Sequence, residues 1–132
     1  RERRSQAALA AYIRKPVDDM VLFLETLRGS KDDDVRQYGA YRGDHQHIYG
    51  LKIPARLEKA RSMVDALGTL GPDLHAFVVY LANISSIATA LCYGDRIPGR
   101  REELLAELAS AVDNAKKHGN ALQAAIEESV KV

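Results

Sequence analysis

Cysteine is almost absent: Cys92 is the only one in 132 residues. A lone thiol cannot close an intramolecular disulfide, and it gives no support to a cysteine-based metal site. Nothing in the cysteine usage points to an oxidising compartment, so the cytoplasm is the expected location. Within its apolar run Cys92 reads as a small hydrophobe. Several chemical signatures are missing too. There is no Walker A pattern, no G-x-G-x-x-G, no G-x-S-x-G and no H-E-x-x-H. No stretch alternates long enough to make a strand, and no repeat or low-complexity segment occurs. Charge is missing from residues 74–94, which hold no Asp, Glu, Lys or Arg. A bilayer span needs ~20 predominantly apolar residues. Here His75, Asn83, Ser85, Ser86 and Thr89 interrupt the run, and Gly71-Pro72-Asp73 stands where a basic flank would be. The run is therefore read as a buried helix, packed on most sides, with no membrane span in this chain. No segment reads as a signal peptide.

What the chain does have is helical periodicity. Leu105, Leu108, Val112, Ala115, Gly119, Leu122 and Ile126 recur at alternating steps of three and four. That spacing makes one apolar seam on a long helix, with the charged residues lying off it. Gly119 falls in phase with the seam. A mid-helix glycine costs ~1 kcal/mol, so the helix is expected to run through it, with close helix approach as the gain. Four main helices are expected, at roughly 2–28, 54–68, 72–93 and 100–130. Val17, Met20, Val21, Leu24 and Leu27 form the buried stripe of the first; Leu57, Ala60, Val64 and Leu67 that of the second. Pro16 suits the first position of a new helix, which predicts a kink or break near Lys15. Ser30 and Asp33 resemble a capping box, and a short helix through Tyr38 is expected. Residues 39–53 show no sustained period. The expectation is an all-α single domain over 1–132. It is an antiparallel four-helix bundle with a kinked first helix and a long irregular connection between helices one and two. Helices one and four look longer than helix two. A homodimer through helix one or late helix four would cover the apolar surface left over.

A net charge of +1 hides blocks of opposite sign. Arg1, Arg3, Arg4, Arg14 and Lys15 against Glu2 make residues 1–15 locally +4. This opening run is read as a solvated helix start. Residues 16–35 are locally −4, with six acids (the Asp32-Asp33-Asp34 run among them) against Arg28 and Lys31. Residues 36–61 return to +4, with Arg36, Arg42, Lys52, Arg56, Lys59 and Arg61 against Asp44 and Glu58. Tyr38, Tyr41 and Tyr49 are interleaved with these cations. Arginine and tyrosine are frequent interface anchors, and cations with aromatic faces also suit phosphates and bases. This segment is the expected contact surface of a non-enzymatic interaction domain. A protein partner is placed ahead of nucleic acid, and no cofactor is expected.

Two other chemistries fit the same segment. Asp44, His45 and His47 are potential metal ligands, with His75 or an acid on another element as the fourth, but the i, i+2 histidine pair does not share a helix face. No metal site is assigned on that basis. Glu103 and Glu107 share a helix face, yet no histidine follows at the spacing of bundle di-iron sites. The second chemistry comes from Arg42, His47 and Tyr49, whose spacing is R-x4-H-x-Y. This resembles the active-site motif of HEPN-domain ribonucleases, which are small all-α proteins. The resemblance covers eight residues. It implies that His47 acts as acid or base and Arg42 holds the scissile phosphate, without a metal. Gly43 after the arginine, and the position of the motif in the first half of the chain, depart from that family's pattern.

Overall fold

The long helices form where the seams of apolar residues predict them. A computed structural model describes residues 2–26, 51–93 and 100–131. Helix α1 spans Glu2–Thr26. Two short helices follow, α2 at Ala55–Arg61 and α3 at Val64–Leu67, and then a 3₁₀ turn at Gly68–Leu70. Helix α4 spans Gly71–Tyr93 and α5 spans Arg100–Val130. No strand occurs among the described residues. The fold is all-α. The expected capping box, the short helix after it, and most of the irregular segment lie in residues 27–50, outside the described residues.

One contiguous core collects the seams. From α1 come Leu9, Ile13, Val17, Met20, Val21 and Leu24. From α5 come Leu104, Leu108, Val112, Ala115, Leu122 and Ile126. Helices α4 and α5 share the most extensive interface, followed by α1 with α5. Burial of these side chains is the main favourable term, at roughly 25 cal/mol per Å² of apolar surface removed from water. Leu67, Leu70 and Leu74 are buried too, so the short turns after α2 are fastened to the same core.

Three expectations need correction. The break expected near Lys15 is absent: α1 is one helix with Pro16 inside it. A proline there removes the bond to the carbonyl of Tyr12 and costs ~3 kcal/mol. Pro16 is itself buried, and Ile13 and Val17 on either side are fully buried, so packing on both sides of the ring outweighs that cost. The second helix, expected from 54 to 68, is divided after Arg61. The Ser62 hydroxyl donates to the Lys59 carbonyl at 2.6 Å, and Met63 N–H bonds Ala60 O at 2.9 Å. A serine that satisfies backbone groups locally competes with helix continuation. The third helix is not enclosed on most sides. Leu74, Phe77, Val78, Leu81, Ile84, Ala88 and Leu91 face the core. His75, Val79, Ala82, Asn83, Ser86 and Ala90 are exposed. The stretch Gly68–Leu91 has the length and composition to cross a membrane, with 39% of its most apolar window buried within the chain. A core helix meets the same criterion.

The last helix runs unbroken through Gly119, as expected. Close approach is the reason. A Cβ on Gly119 would lie 2.8 Å from Phe77 Cε1 of α4 and 2.8 Å from Val21 Cγ2 of α1. Only a residue without a side chain lets three helices meet there.

Candidate interaction surface

The described part of the basic segment begins with alternation. Residues 51–54 are not helical, so successive side chains can point to opposite sides. Leu51 and Ile53 pack on the core while Lys52 between them is exposed. Pro54 then caps α2, its carbonyl accepting from Leu57 N–H at 3.0 Å. Leu57 and Ala60 face inward and are fully buried. Three residues apart, they fix one face of a short helix. Arg56 and Lys59, also three apart, are left on the solvent side. Arg61 is partly exposed and pairs with Glu58 at 3.0 Å.

Arg56 is held against an aromatic ring. Its Cζ lies 5.2 Å from the ring centroid of Tyr12 on α1, a cation–π contact. Tyr12 is partly buried on the core, so the ring is a fixed platform for the guanidinium. Lys52 and Lys59 make no ion pair with a described residue. Some other cations are engaged, although Arg4, Lys116 and Lys117 make no ion pair with a described residue either. Arg14 pairs with Glu127, Lys15 with Asp19 at 3.4 Å, Arg100 with Glu103 at 3.3 Å, and Lys131 with Glu128 at 3.8 Å. Such exposed pairs contribute little stability, but they neutralise local charge.

The structure thus places Lys52, Arg56 and Lys59 in solvent and adds Tyr12, which sequence reasoning did not select. Nothing local in the sequence links Tyr12 to Arg56. Arg36, Tyr38, Tyr41, Arg42, His47 and Tyr49 lie outside the described residues, as do Asp44 and His45. No group of three or more His, Cys, Asp or Glu gathers at metal-binding distance among the described residues. The apolar surface that a dimer would cover can be read only among the described residues. The exposed large hydrophobics among the described residues are Leu22 at 67% and Val79 at 36%, and late α5 buries Leu122 and Ile126 within its own chain.

A second arrangement was not visible in the sequence. His118 of α5 meets Asp73 at the start of α4, with Nδ1 and Oδ1 3.0 Å apart. A carboxylate only accepts, so the proton sits on His118 Nδ1. The imidazole also stacks on Tyr80, with ring centroids 5.6 Å apart and planes at 10°. Comparison with models of known families, with curated proteins and with solved structures finds no match to this chain.

Proposed function

We propose that this chain is a non-enzymatic helical interaction domain that docks an acidic protein surface on its basic face. The observation that carries this is the solvent side of α2. Arg56 and Lys59 stand there on one face, Lys52 precedes them, and Tyr12 supports the arginine from below. An arginine stacked on a tyrosine keeps its N–H edge free for carboxylates and loses little rotamer freedom on binding. The contact is taken to involve the wider basic and tyrosine-rich segment 36–61, of which residues 51–61 are described. Its frame is a single domain of four helices packed antiparallel, the first bent at Pro16. One contiguous core supports the single domain. Early α4 meeting late α5, through Asp73 and His118, supports the antiparallel order. A proline inside α1 supports the bend.

The test uses a fluorescent glutamate-rich peptide and a single-stranded RNA of equal charge. We expect saltable binding to the peptide, weakened at least ~tenfold in the Lys52→Glu, Arg56→Glu, Lys59→Glu triple variant. His47→Ala should leave it unchanged. Equal binding by wild type and triple variant overturns the reading. So does RNA cleavage in EDTA that His47→Ala abolishes, which would establish the ribonuclease chemistry instead.

A further inference from the structure

A groove of about 410 Å³ opens between α4 and α5. We infer that it is a binding site for a small organic cation, an alkylamine or a guanidinium. The groove exists because small side chains meet there. Ser86 of α4 and Ser110 and Ala111 of α5 leave the seam between the helices unfilled. Ala111 is buried and Ile87 half-buried, which gives the groove an apolar floor. Its volume falls in the range of small-molecule sites, ~300–1,000 Å³.

The polar groups of the lining select the ligand's charge. Glu107 is the one formally charged residue among them. Residues 74–94 carry no Asp, Glu, Lys or Arg, so α4 offers no counter-charge across the groove. Among the described side chains of α5, the near neighbours of Glu107 offer none either. The positions three and four away from Glu107 are Leu104, Ser110, Glu103 and Ala111, and Glu103 is bonded to Arg100 at 3.3 Å. Glu107 makes no ion pair with a described residue. An anion would meet this carboxylate with no cation among the described lining residues to offset it. An apolar guest would cover hydroxyl and carboxylate groups without replacing their water. A cation bearing several N–H groups does what neither can. It neutralises Glu107 and donates to the acceptors around it: the Ser86 and Ser110 hydroxyls, the Asn83 amide oxygen and the Tyr80 phenol.

The site is also held open in advance. Tyr80 stacks on His118, and His118 is tied to Asp73, so the ring at the groove's edge is braced from outside the groove. On the other helix, Asn114 Nδ2 donates to the Ser110 carbonyl at 3.0 Å and to its hydroxyl oxygen at 3.4 Å. The Ser110 oxygen keeps one further lone pair for a ligand. Preorganised walls reduce the ordering cost of binding. This site shares no residue with the basic face, so it stands or falls independently of the interaction reading.

The experiment is a titration of the ¹⁵N-labelled full chain with 1,4-diaminobutane, with agmatine, and with neutral 1,4-butanediol, followed by amide chemical shifts. We expect saturable shifts at Tyr80, Ser86, Glu107 and Ser110 with at least one of the two cations, and none with the diol. Glu107→Gln should weaken binding at least ~tenfold with an unchanged thermal melt, because the side chain is exposed. Ser86→Leu, which fills the groove, should abolish it. Three results overturn the inference: no saturable shift with either cation into the millimolar range, equal affinity in Glu107→Gln, or diol binding as strong as the cations.

Discussion

Gly119 of α5 lies against Phe77 of α4 so closely that a Cβ on the glycine would sit 2.8 Å from the ring's Cε1. Val21 of α1 closes the other side at the same distance. Helix propensity and packing therefore oppose each other at this position. Gly119→Ala gains ~1 kcal/mol of propensity. Overpacking against two fully or nearly buried side chains costs ~1–3 kcal/mol. We expect packing to win, with a net loss of roughly 1 kcal/mol and a melting temperature lower by about 3–5 °C. Combining it with Phe77→Leu should cost less than the two single changes added together, because the residues share one contact. A Gly119→Ala protein that melts higher than wild type would show that the helices are not this close.

Two leucines should behave in opposite ways. Leu122 is fully buried on α5, and Leu22 of α1 is 67% exposed. Leu122→Ala should destabilise by ~2–5 kcal/mol through lost burial and the cavity left behind. Leu22→Ala should change stability by less than ~0.5 kcal/mol. Denaturant melts of the two variants check this directly. A large loss for Leu22→Ala would mean that a second copy covers that face, and light scattering would then show the dimer.

Gly68 has φ +53°, a left-handed conformation that side chains resist. A Cβ there would also lie 2.4 Å from Gln6 Oε1. Gln6 is not free to swing away at no cost. Its Nε2 donates to Thr69 Oγ1 at 3.0 Å and to Ser129 Oγ at 3.1 Å, tying the start of α1 to the 3₁₀ turn before α4 and to the end of α5. Gly68→Ala should cost about 2 kcal/mol, from backbone strain of ~1–2 kcal/mol plus weakened Gln6 bonds. In a Gln6→Ala background the added penalty should shrink toward the strain alone. An equal penalty in both backgrounds would refute the Gln6 contribution.

Arg56 contributes to stability only weakly in this account. An exposed cation–π contact is worth ~0.5–1 kcal/mol. Arg56→Ala should therefore lower the melting temperature by no more than a few degrees. It should nonetheless weaken binding of the glutamate-rich peptide severalfold. Unfolding of Arg56→Ala at ambient temperature would contradict the surface position of this side chain.

Much of the helical frame was legible because helix periodicity is local. The seam from Leu105 to Ile126 sets which residues of α5 turn inward, and Gly119 in phase with it already implied a close neighbour. Gly71, Pro72 and the single charge of Asp73 marked the start of α4 for the same reason. The divided second helix was harder to read, since Leu57, Ala60, Val64 and Leu67 keep their period across the interruption. There a single serine hydroxyl and two backbone bonds decided the outcome.

What tertiary structure alone decided are the meetings between distant residues. Asp73 and His118 are 45 positions apart, and Gln6 and Ser129 are 123 apart. No spacing rule connects them. Pro16 stays inside α1 because the core contacts on both sides of it exceed its local penalty, a sum that no local window contains. The uncharged run of α4 read as an enclosed helix, since composition records how apolar a face is but not whether a neighbour covers it. Only the packing of α1 and α5 leaves Asn83 and Ser86 in solvent and sets Glu107 across a groove from them. Local periodicity determines which face of a helix is apolar; the relative placement of helices, a non-local matter, determines which of those faces remain open.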